Sequence, residues 1–505
     1  MEIIASFVPA PGVDPAVDLA RPPVAATMVE IRVDLLDSAI HLQTLVAASP
    51  LPVVMTLRSR AEGGRGPDGG EERARFAAEA TASGAAFIDL ELQRDARLLG
   101  TVVPRERAIA SVHLPDVPAD LDRRVADWLG CGARFVKVVP AARSLADVLA
   151  VVRAAGRERG RRSERRGIVF ATGDAGRATR LLAPLLGAPV AYAAWGVGRI
   201  AAPGQYTADE IAALIGHLVG PPRRLCGVLA STAMRSLSPR MHNAAFASGA
   251  VPNLFVPIVV ADATELANLI RPAGDGPFDG LGLPCGGWAV TMPWKSQAAG
   301  LCGVLAPRAR RAAAVNTVLP RPGKVLGDCT DIDGITRALI EAGVEIASCR
   351  ALVLGGGGAA RAAVVALDLA GAEVAMAGRD RARLEPVAAR LGVGVVDLDA
   401  SADFDLVINA TPAGADKDVG EILSALRLPN ESVALDLAYG DGPTGLGRLA
   451  YERGWTYIAG RRVLLWQGVS QFAAMNGSAP PVAAMAAALG LDIGGVGSAA
   501  SAPFG

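Results

Sequence analysis

The sequence predicts an α/β chain from end to end, and three observations carry that expectation. Short apolar, β-rich runs recur eight times before residue 200, most of them followed by a helix-compatible segment. A second α/β pattern starts at Cys226, just after Pro221-Pro222-Arg223-Arg224. Further on, Ala351-Leu352-Val353-Leu354-Gly355-Gly356-Gly357-Gly358-Ala359-Ala360-Arg361-Ala362 reads as a strand, a glycine turn and a helix start. At 505 residues the chain has room for roughly two to four domains, each with its own core.

The first eight runs cover residues 3–8, 28–34, 52–58, 87–92, 108–114, 134–139, 167–171 and 190–195. Their number and span suit one β/α barrel, and a doubly wound sheet would show the same alternation. In a barrel the reactive groups sit where strands end. Polar residues fall there: Glu30 and Arg32 on the second run, Arg58 ending the third, His113 ending the fifth and Lys137 on the sixth. Arg180 follows the seventh run and Gln205 the eighth. In Phe135-Val136-Lys137-Val138-Val139 the lysine interrupts an apolar strand. Burial disfavours its charged form and leaves the neutral amine that attacks carbonyls, unless the head snorkels out to solvent. His113 reads either as an acid–base group or as a satisfied core histidine.

The chain resets at Arg235-Ser236-Leu237-Ser238-Pro239-Arg240-Met241-His242-Asn243-Ala244-Ala245-Phe246. Two serines, a proline at a first helical turn and an amphipathic run make an anion cradle or an ordinary N-capped helix. Strand-like stretches follow at 253–260, 289–292 and 315–319. Val290-Thr291-Met292-Pro293-Trp294-Lys295, Ala314-Val315-Asn316-Thr317 and Cys329-Thr330-Asp331 each end an apolar run.

At the glycine turn the backbone can approach a pyrophosphate, whose charge the helix N-terminus stabilises. The next strand, 373–377, ends in Gly378-Arg379, with no acid where an NAD enzyme holds the ribose hydroxyls. Arg379 suits a 2′-phosphate, which favours NADP; Asp380 would repel that phosphate if it pointed inward. Strands at 404–409, 433–437 and 456–458 complete a dinucleotide sheet, and helices at 464–475 and 482–489 pack back on the preceding unit.

The remaining composition excludes other classes. Fifty basic and fifty acidic residues balance, so no global field draws nucleic acid or an anionic membrane. The basic run 157–166 is interrupted by acids and reads as a solvated helix end and loop. Six scattered cysteines without a C-x-x-C pair, and only four histidines, argue for reduced thiols and against a disulfide framework or a metal site. The start, MEIIASFVPAPG, lacks the basic region of a signal peptide, and Pro184 and Pro189 break the apolar stretch 181–198 into helix end, loop and strand. A cytoplasmic protein with a disordered tail over 491–505 is expected.

Several of these stretches occur together in one order: Glu30-Ile31-Arg32-Val33-Asp34, Thr56-Leu57-Arg58 with Glu62-Gly63-Gly64, and Asp89-Leu90-Glu91-Leu92. After them come Ser111-Val112-His113, Val136-Lys137, Thr179-Arg180 and Ala202-Pro203-Gly204-Gln205. Over residues 1–218 the chain resembles the type I 3-dehydroquinate dehydratases, which are barrels. The resemblance implies Lys137 as Schiff-base nucleophile and His113 as general acid and base. It implies Glu30, Arg32 and Arg58 lining the site, Arg180 on the substrate carboxylate and Gln205 on a closing loop. Ala201 stands where that family usually has a serine, and 61–73 resembles a lengthened loop.

From Ser236 onward the motifs resemble shikimate dehydrogenases. The resemblance implies Lys295 and Asp331 as the catalytic dyad, with Asp333 two residues on. Ser236, Ser238, Thr291, Asn316, Tyr439 and Gln467 would bind substrate; Gly355, Gly357, Gly358, Ala359, Arg379, Asn409, Thr411 and Gly460 would hold NADP. Ala289 and Cys329 stand where that family has asparagines. The implied units are a barrel at 1–218, a substrate domain at 224–331, a Rossmann-type NADP domain at 332–460 and C-terminal helices at 461–490. Together they imply dehydration of 3-dehydroquinate and NADPH-dependent reduction of 3-dehydroshikimate to shikimate. Two other classes share these folds: a dehydratase fused to a catabolic, NAD-linked quinate dehydrogenase, and a catalytically dead ligand sensor.

Overall fold

The computed structural model describes residues 1–36, 40–157, 166–232, 236–412, 423, 425–440 and 444–493. Arg235, most of the 157–166 basic run and the tail from 494 on lie outside the described residues.

The first sheet has eight strands: β1 (Glu2–Phe7), β2 (Met28–Arg32), β3 (Val53–Thr56), β4 (Phe87–Glu91), β5 (Ala108–Leu114), β6 (Phe135–Pro140), β7 (Gly167–Val169) and β8 (Val190–Ala194). All pair in parallel in the order β7-β6-β5-β4-β3-β2-β1-β8. A doubly wound sheet reverses its strand order at a switch point. Here the order never reverses and β8 pairs with β1 across the length of the unit; among the described residues β7 and β8 do not pair, so the cylinder is nearly closed. The β8–β1 pairing decides between the two folds the alternation had left open.

Strand periodicity then points Ser6, Glu30, Asp89, Ser111 and Lys137 to one inner face, with Ser6 opposite Glu30 and Ser111 opposite Lys137. One expectation needs correction. The 61–73 stretch is not all loop, because a helix runs over Glu71–Ala82. Its acidic first turn suits the helix dipole, and Arg73 within it is buried and paired to Asp95 at 2.9 and 2.6 Å.

The second sheet comprises β9 (Arg224–Ala230), β10 (Asn253–Val259), β11 (Cys285–Val290), β12 (Val304–Leu305), β13 (Thr317–Arg321) and β14 (Lys324–Asp328), in the order β10-β9-β11-β13-β14-β12. β13 runs antiparallel to both β11 and β14. The β13–β14 hairpin turns through Pro322-Gly323, where Gly323 has φ +70° and an L side chain would be strained.

The third sheet is wholly parallel: β15 (Arg350–Leu354), β16 (Glu373–Ala377), β17 (Gly394–Val395), β18 (Leu406–Asn409), β19 (Val433–Asp436) and β20 (Thr456–Ile458). Its order, β17-β16-β15-β18-β19-β20, reverses between β15 and β18, opening the crevice where dinucleotides bind in such sheets. Helix Gly460–Asn476 returns to pack on helix Asp331–Glu341, and helix Val482–Ala488 on Ser238–Ser248. The barrel and the second sheet touch through Leu145 N–H on Glu265 Oε1 (2.8 Å) and Thr232 Oγ1 on Asp174 Oδ2 (2.9 Å). Among the described residues no helix is long and apolar enough to cross a membrane.

Candidate active sites

The barrel holds a cavity of 390 Å³ lined by Glu30, Arg32, Arg58, Glu62, His113, Lys137, Arg180, Tyr192 and Gln205, among others. Lys137 is 3% exposed, so its head does not snorkel to solvent. Nor is its surrounding apolar, as the strand sequence alone had suggested. Its Nζ lies 2.6 Å from Asp89 Oδ2 and 3.4 Å from Glu30 Oε1, with the Tyr192 ring centroid at 4.5 Å. An unpaired buried ammonium would be expensive, and these two carboxylates offset it.

Glu30 is fixed in turn by the hydroxyls of Ser6 (2.6 Å) and Thr56 (3.0 Å). Burial alone would raise the Glu30 carboxyl, but the Lys137 and Arg32 charges hold it below the usual range. Asp89 is likewise held below the usual carboxylate range, Arg58 and Lys137 overcoming the same burial.

The four arginine and glutamine residues implied at this cavity fall into two groups. Arg58 and Arg32 are already engaged within the protein. Arg58 donates to Glu91, Ser111 and Asp89, each at 3.0 Å, and Arg32 holds Asp34 through two 2.8 Å bonds. Arg58 therefore organises carboxylates as well as lining the cavity. Arg180 differs: it is buried over Phe170 with its Cζ 4.7 Å from the ring centroid, and its Nε has no hydrogen-bond partner among the described residues. Burial pushes its guanidinium down to about 10, which makes it a cation lacking a buried anion. Gln205 Oε1 accepts the Ala201 and Ala202 N–H groups at 2.8 and 3.1 Å and shapes the loop over the cavity.

His113 Nδ1 sits 2.9 Å from Glu62 Oε2, which also accepts the His113 backbone N–H at 3.0 Å. Burial, with the nearby Arg58 and Lys137 cations, holds the imidazole well below its usual value and therefore neutral. Burial pushes Glu62 up to about 7 against the pull of Arg58, and Glu91 adds to the rise. Sequence reasoning assigned no role to Asp89, Glu62 or Tyr192. Period-two alternation could have found Asp89, two residues before Glu91 on one strand face. Glu62 opens Glu62-Gly63-Gly64, one of the stretches that carry the resemblance, and nothing local marks Tyr192.

In the second half, Lys295 Nζ donates to Asp331 Oδ2 at 2.5 Å, and the carboxylate raises the ammonium above its usual range despite burial. Asp331 and not Asp333 pairs with Lys295: Arg308 takes Asp333 and, through two bonds of 2.8 and 2.7 Å, Asp328. Asn316 is the hub. Its Nδ2 donates to Asp331 (2.9 Å), Thr330 (3.0 Å) and Gln467 (3.1 Å), while its Oδ1 accepts the Thr330 N–H at 2.7 Å.

Gln471 supports that hub, donating to the Asn316 carbonyl and to Thr317 Oγ1, both at 3.0 Å. Helix Ser238–Ser248 begins without a side-chain cap, contrary to the N-cap reading; Ser236 Oγ accepts the Ser238 N–H at 3.3 Å. Tyr439 lies against Ser236, Leu237 and Lys295. Thr291 is half-buried at the end of β11, bonded through its backbone to Leu229 and Trp294.

The glycine turn abuts this dyad. Gly355 has φ +105°, and a Cβ there would meet Thr411 Cγ2 at 3.0 Å; one on Gly358 would meet Lys295 Cβ at 3.0 Å. Gly357 caps the 12-residue helix Gly358–Leu369, in which Ala359 is second, and a Cβ on it would meet open space. Arg361 donates to Ser296, tying this helix to the one that begins at Lys295.

Asn409 Oδ1 accepts the Thr411 N–H at 3.1 Å, while its Nδ2 donates to Oδ1 of buried Asp436 at 3.1 Å, beside Gly460. Arg379 is exposed at the end of β16, while Asp380 turns away to cap helix Arg381–Leu391 through the Arg383 N–H at 3.1 Å. The glycine turn, a helix N-terminus with no acid in its first turn and the exposed Arg379 fit an anionic dinucleotide with a 2′-phosphate.

A family model for type I 3-dehydroquinase matches residues 7–218, and one for the shikimate dehydrogenase substrate binding domain matches 228–318. The chloroplastic bifunctional 3-dehydroquinate dehydratase/shikimate dehydrogenase of Arabidopsis thaliana is 28% identical over 490 residues, 90% of this chain and 78% of its own. The pentafunctional AROM polypeptide of Komagataella phaffii is 29% identical over 478 residues, 88% of this chain and 30% of that longer protein. A shikimate dehydrogenase (NADP(+)) of Carboxydothermus hydrogenoformans is 32% identical over 280 residues, 53% of this chain and 97% of its own.

Proposed function

Because the chain belongs to the shikimate dehydrogenase family and carries a type I 3-dehydroquinase region ahead of it, we propose that it runs two successive reactions. The barrel dehydrates 3-dehydroquinate, and the second half reduces the resulting 3-dehydroshikimate to shikimate with NADPH. The observation that carries this reading is a Lys–Asp pair packed on a nucleotide turn in the same chain as an enclosed lysine.

In the barrel, Arg180 takes the substrate carboxylate through two parallel bonds. Lys137 attacks the ketone as the neutral amine, so one proton leaves the Lys137–Asp89–Glu30 cluster as substrate enters. Water is lost, and the resulting iminium draws electrons from the adjacent C–H bond. Neutral His113, oriented by Glu62, takes that proton and returns it to the departing hydroxyl. Hydrolysis of the imine frees Lys137. Arg32 and Glu30 bind ring hydroxyls, and Gln205 closes the loop over them.

In the second half Ser236 and Ser238 hold the carboxylate, with Thr291, Asn316, Tyr439 and Gln467 on the ring hydroxyls. Lys295 stabilises the carbonyl oxygen and, with Asp331, supplies its proton. NADPH supplies the hydride when it is bound by Gly355, Gly357, Gly358, Ala359, Asn409, Thr411 and Gly460, with Arg379 on the 2′-phosphate. Six cysteines that are all free thiols support a reducing compartment such as the cytoplasm.

The test uses the pure protein and 3-dehydroquinate. Enone absorbance should accumulate without NADPH, and with NADPH should fall as the cofactor is oxidised. Absence of either signal contradicts the reading.

A further inference from the structure

One polar group of the barrel cavity has no part in the proposed dehydration. Tyr192, on β8, is 5% exposed and lines the cavity. Its ring face lies 4.5 Å from Lys137 Nζ, and Phe170 stands behind it with centroids 6.0 Å apart. Its hydroxyl is buried with no hydrogen-bond partner among the described residues. Burial and the nearby Glu30 and Asp89 charges hold the phenol protonated at any working pH. A buried O–H without a partner costs stability, and phenylalanine would fill the same volume without that cost. A fold that keeps the hydroxyl beside its reactive amine needs a partner for it, and the group that arrives at Lys137 is the substrate.

We propose that Tyr192 is a further substrate-contacting residue of the dehydratase site. Its O–H donates to an oxygen of the cyclic ketone bound at Lys137, and its ring face stabilises the positive charge that imine formation fixes at Nζ. This rests on the reading of Lys137 as the imine-forming amine.

The two contributions separate by substitution. Tyr192→Phe keeps the ring and removes only the donor. It should lower dehydratase kcat/KM roughly tenfold, mainly through KM, while the thermal midpoint stays level or rises. Tyr192→Leu removes the ring face as well and should cost a further roughly three- to tenfold in kcat. 3-Dehydroshikimate reduction, measured on the same preparations, should be unchanged in both and reports that the chain is folded. Borohydride added with 3-dehydroquinate to the wild type should place the ligand's mass on the Lys137 peptide.

If that peptide is unlabelled, the site reading itself fails. If it is labelled and Tyr192→Phe keeps wild-type kcat/KM, the inference alone fails. A loss of activity accompanied by a lower thermal midpoint in Tyr192→Phe would also overturn it, since that marks a packing residue.

Discussion

Replacing Arg308 with methionine should cripple carbonyl reduction and leave dehydration intact. Arg308 donates Nε and Nη2 to Asp328 at 2.8 and 2.7 Å and Nη1 to Asp333. Those two acids bracket Asp331, so one guanidinium fixes both ends of the turn that aims Asp331 at Lys295. Methionine keeps much of the volume and removes every bond. The Asp328 side chain, 5% exposed, would keep the Cys329 N–H at 2.7 Å as its remaining partner.

A hydrogen bond to a charged group contributes about 1.5–3 kcal/mol. Two are lost at Asp328, and the 23% exposure of the Arg308 side chain trims their worth. A local cost of about 2–4 kcal/mol follows, enough to let the turn move. Misplacing a catalytic group by about 1 Å can cost roughly a hundredfold. The expected result is a 3-dehydroshikimate kcat reduced roughly 10- to 100-fold with KM little changed, read by steady-state NADPH oxidation. Arg308→Lys keeps the charge but lacks the fork that reaches both acids, and should fall between. Dehydratase activity is the internal control. Wild-type kcat in Arg308→Met, or a change confined to KM, would refute the reasoning.

Two further outcomes follow from the same geometry. Arg379→Ala should weaken NADPH by about 1.5 kcal/mol and leave NADH nearly unchanged in a fluorescence titration, since Arg379 would meet only the 2′-phosphate; equal losses would make it structural. Glu62 should give the dehydratase a rising pH profile with an inflection near 7, because only its ionised form accepts the His113 Nδ1–H and leaves Nε2 as a base. Its folded pKa is raised from 4.5, so the stability it contributes is full below 4.5 and lost as pH rises through about 7. At 1.36 kcal/mol per pH unit the loss is about 3 kcal/mol above pH 8. Glu62→Gln should therefore be less active yet more thermostable there. A variant that retains the inflection would contradict this role.

Lys137 and His113 stood out because each is a polar group within an apolar strand run, whereas Lys295 and Asp331, weak signals singly, were read from the resemblance of the ordered motifs. Their partners were not legible. Lys137 looked like a lysine in an apolar strand, since Asp89 and Glu30 reach it from β4 and β2. The near-closed barrel rests on β8 pairing with β1, a contact no local pattern encodes. Strands β12 and β17, at two residues each, are too short to carry a period. Asp333 and Asp380 looked like competitors for function, and both are occupied structurally: one in the Arg308 clamp, the other as a helix cap. The cap was readable from an aspartate ahead of a helical run. The clamp joins Arg308 to residues 20 and 25 positions away and was not.

The central claim, that one chain carries two independent sites, is tested most directly by making Lys137→Ala and Lys295→Ala separately and then mixing them. Lys137→Ala should lose dehydration and retain 3-dehydroshikimate reduction. Lys295→Ala should do the reverse. Mixed with 3-dehydroquinate and NADPH, the two folded variants should together form shikimate, because the intermediate is a small anion free to diffuse. A mixture that stays inactive, or a single substitution that abolishes both steps, would contradict the account.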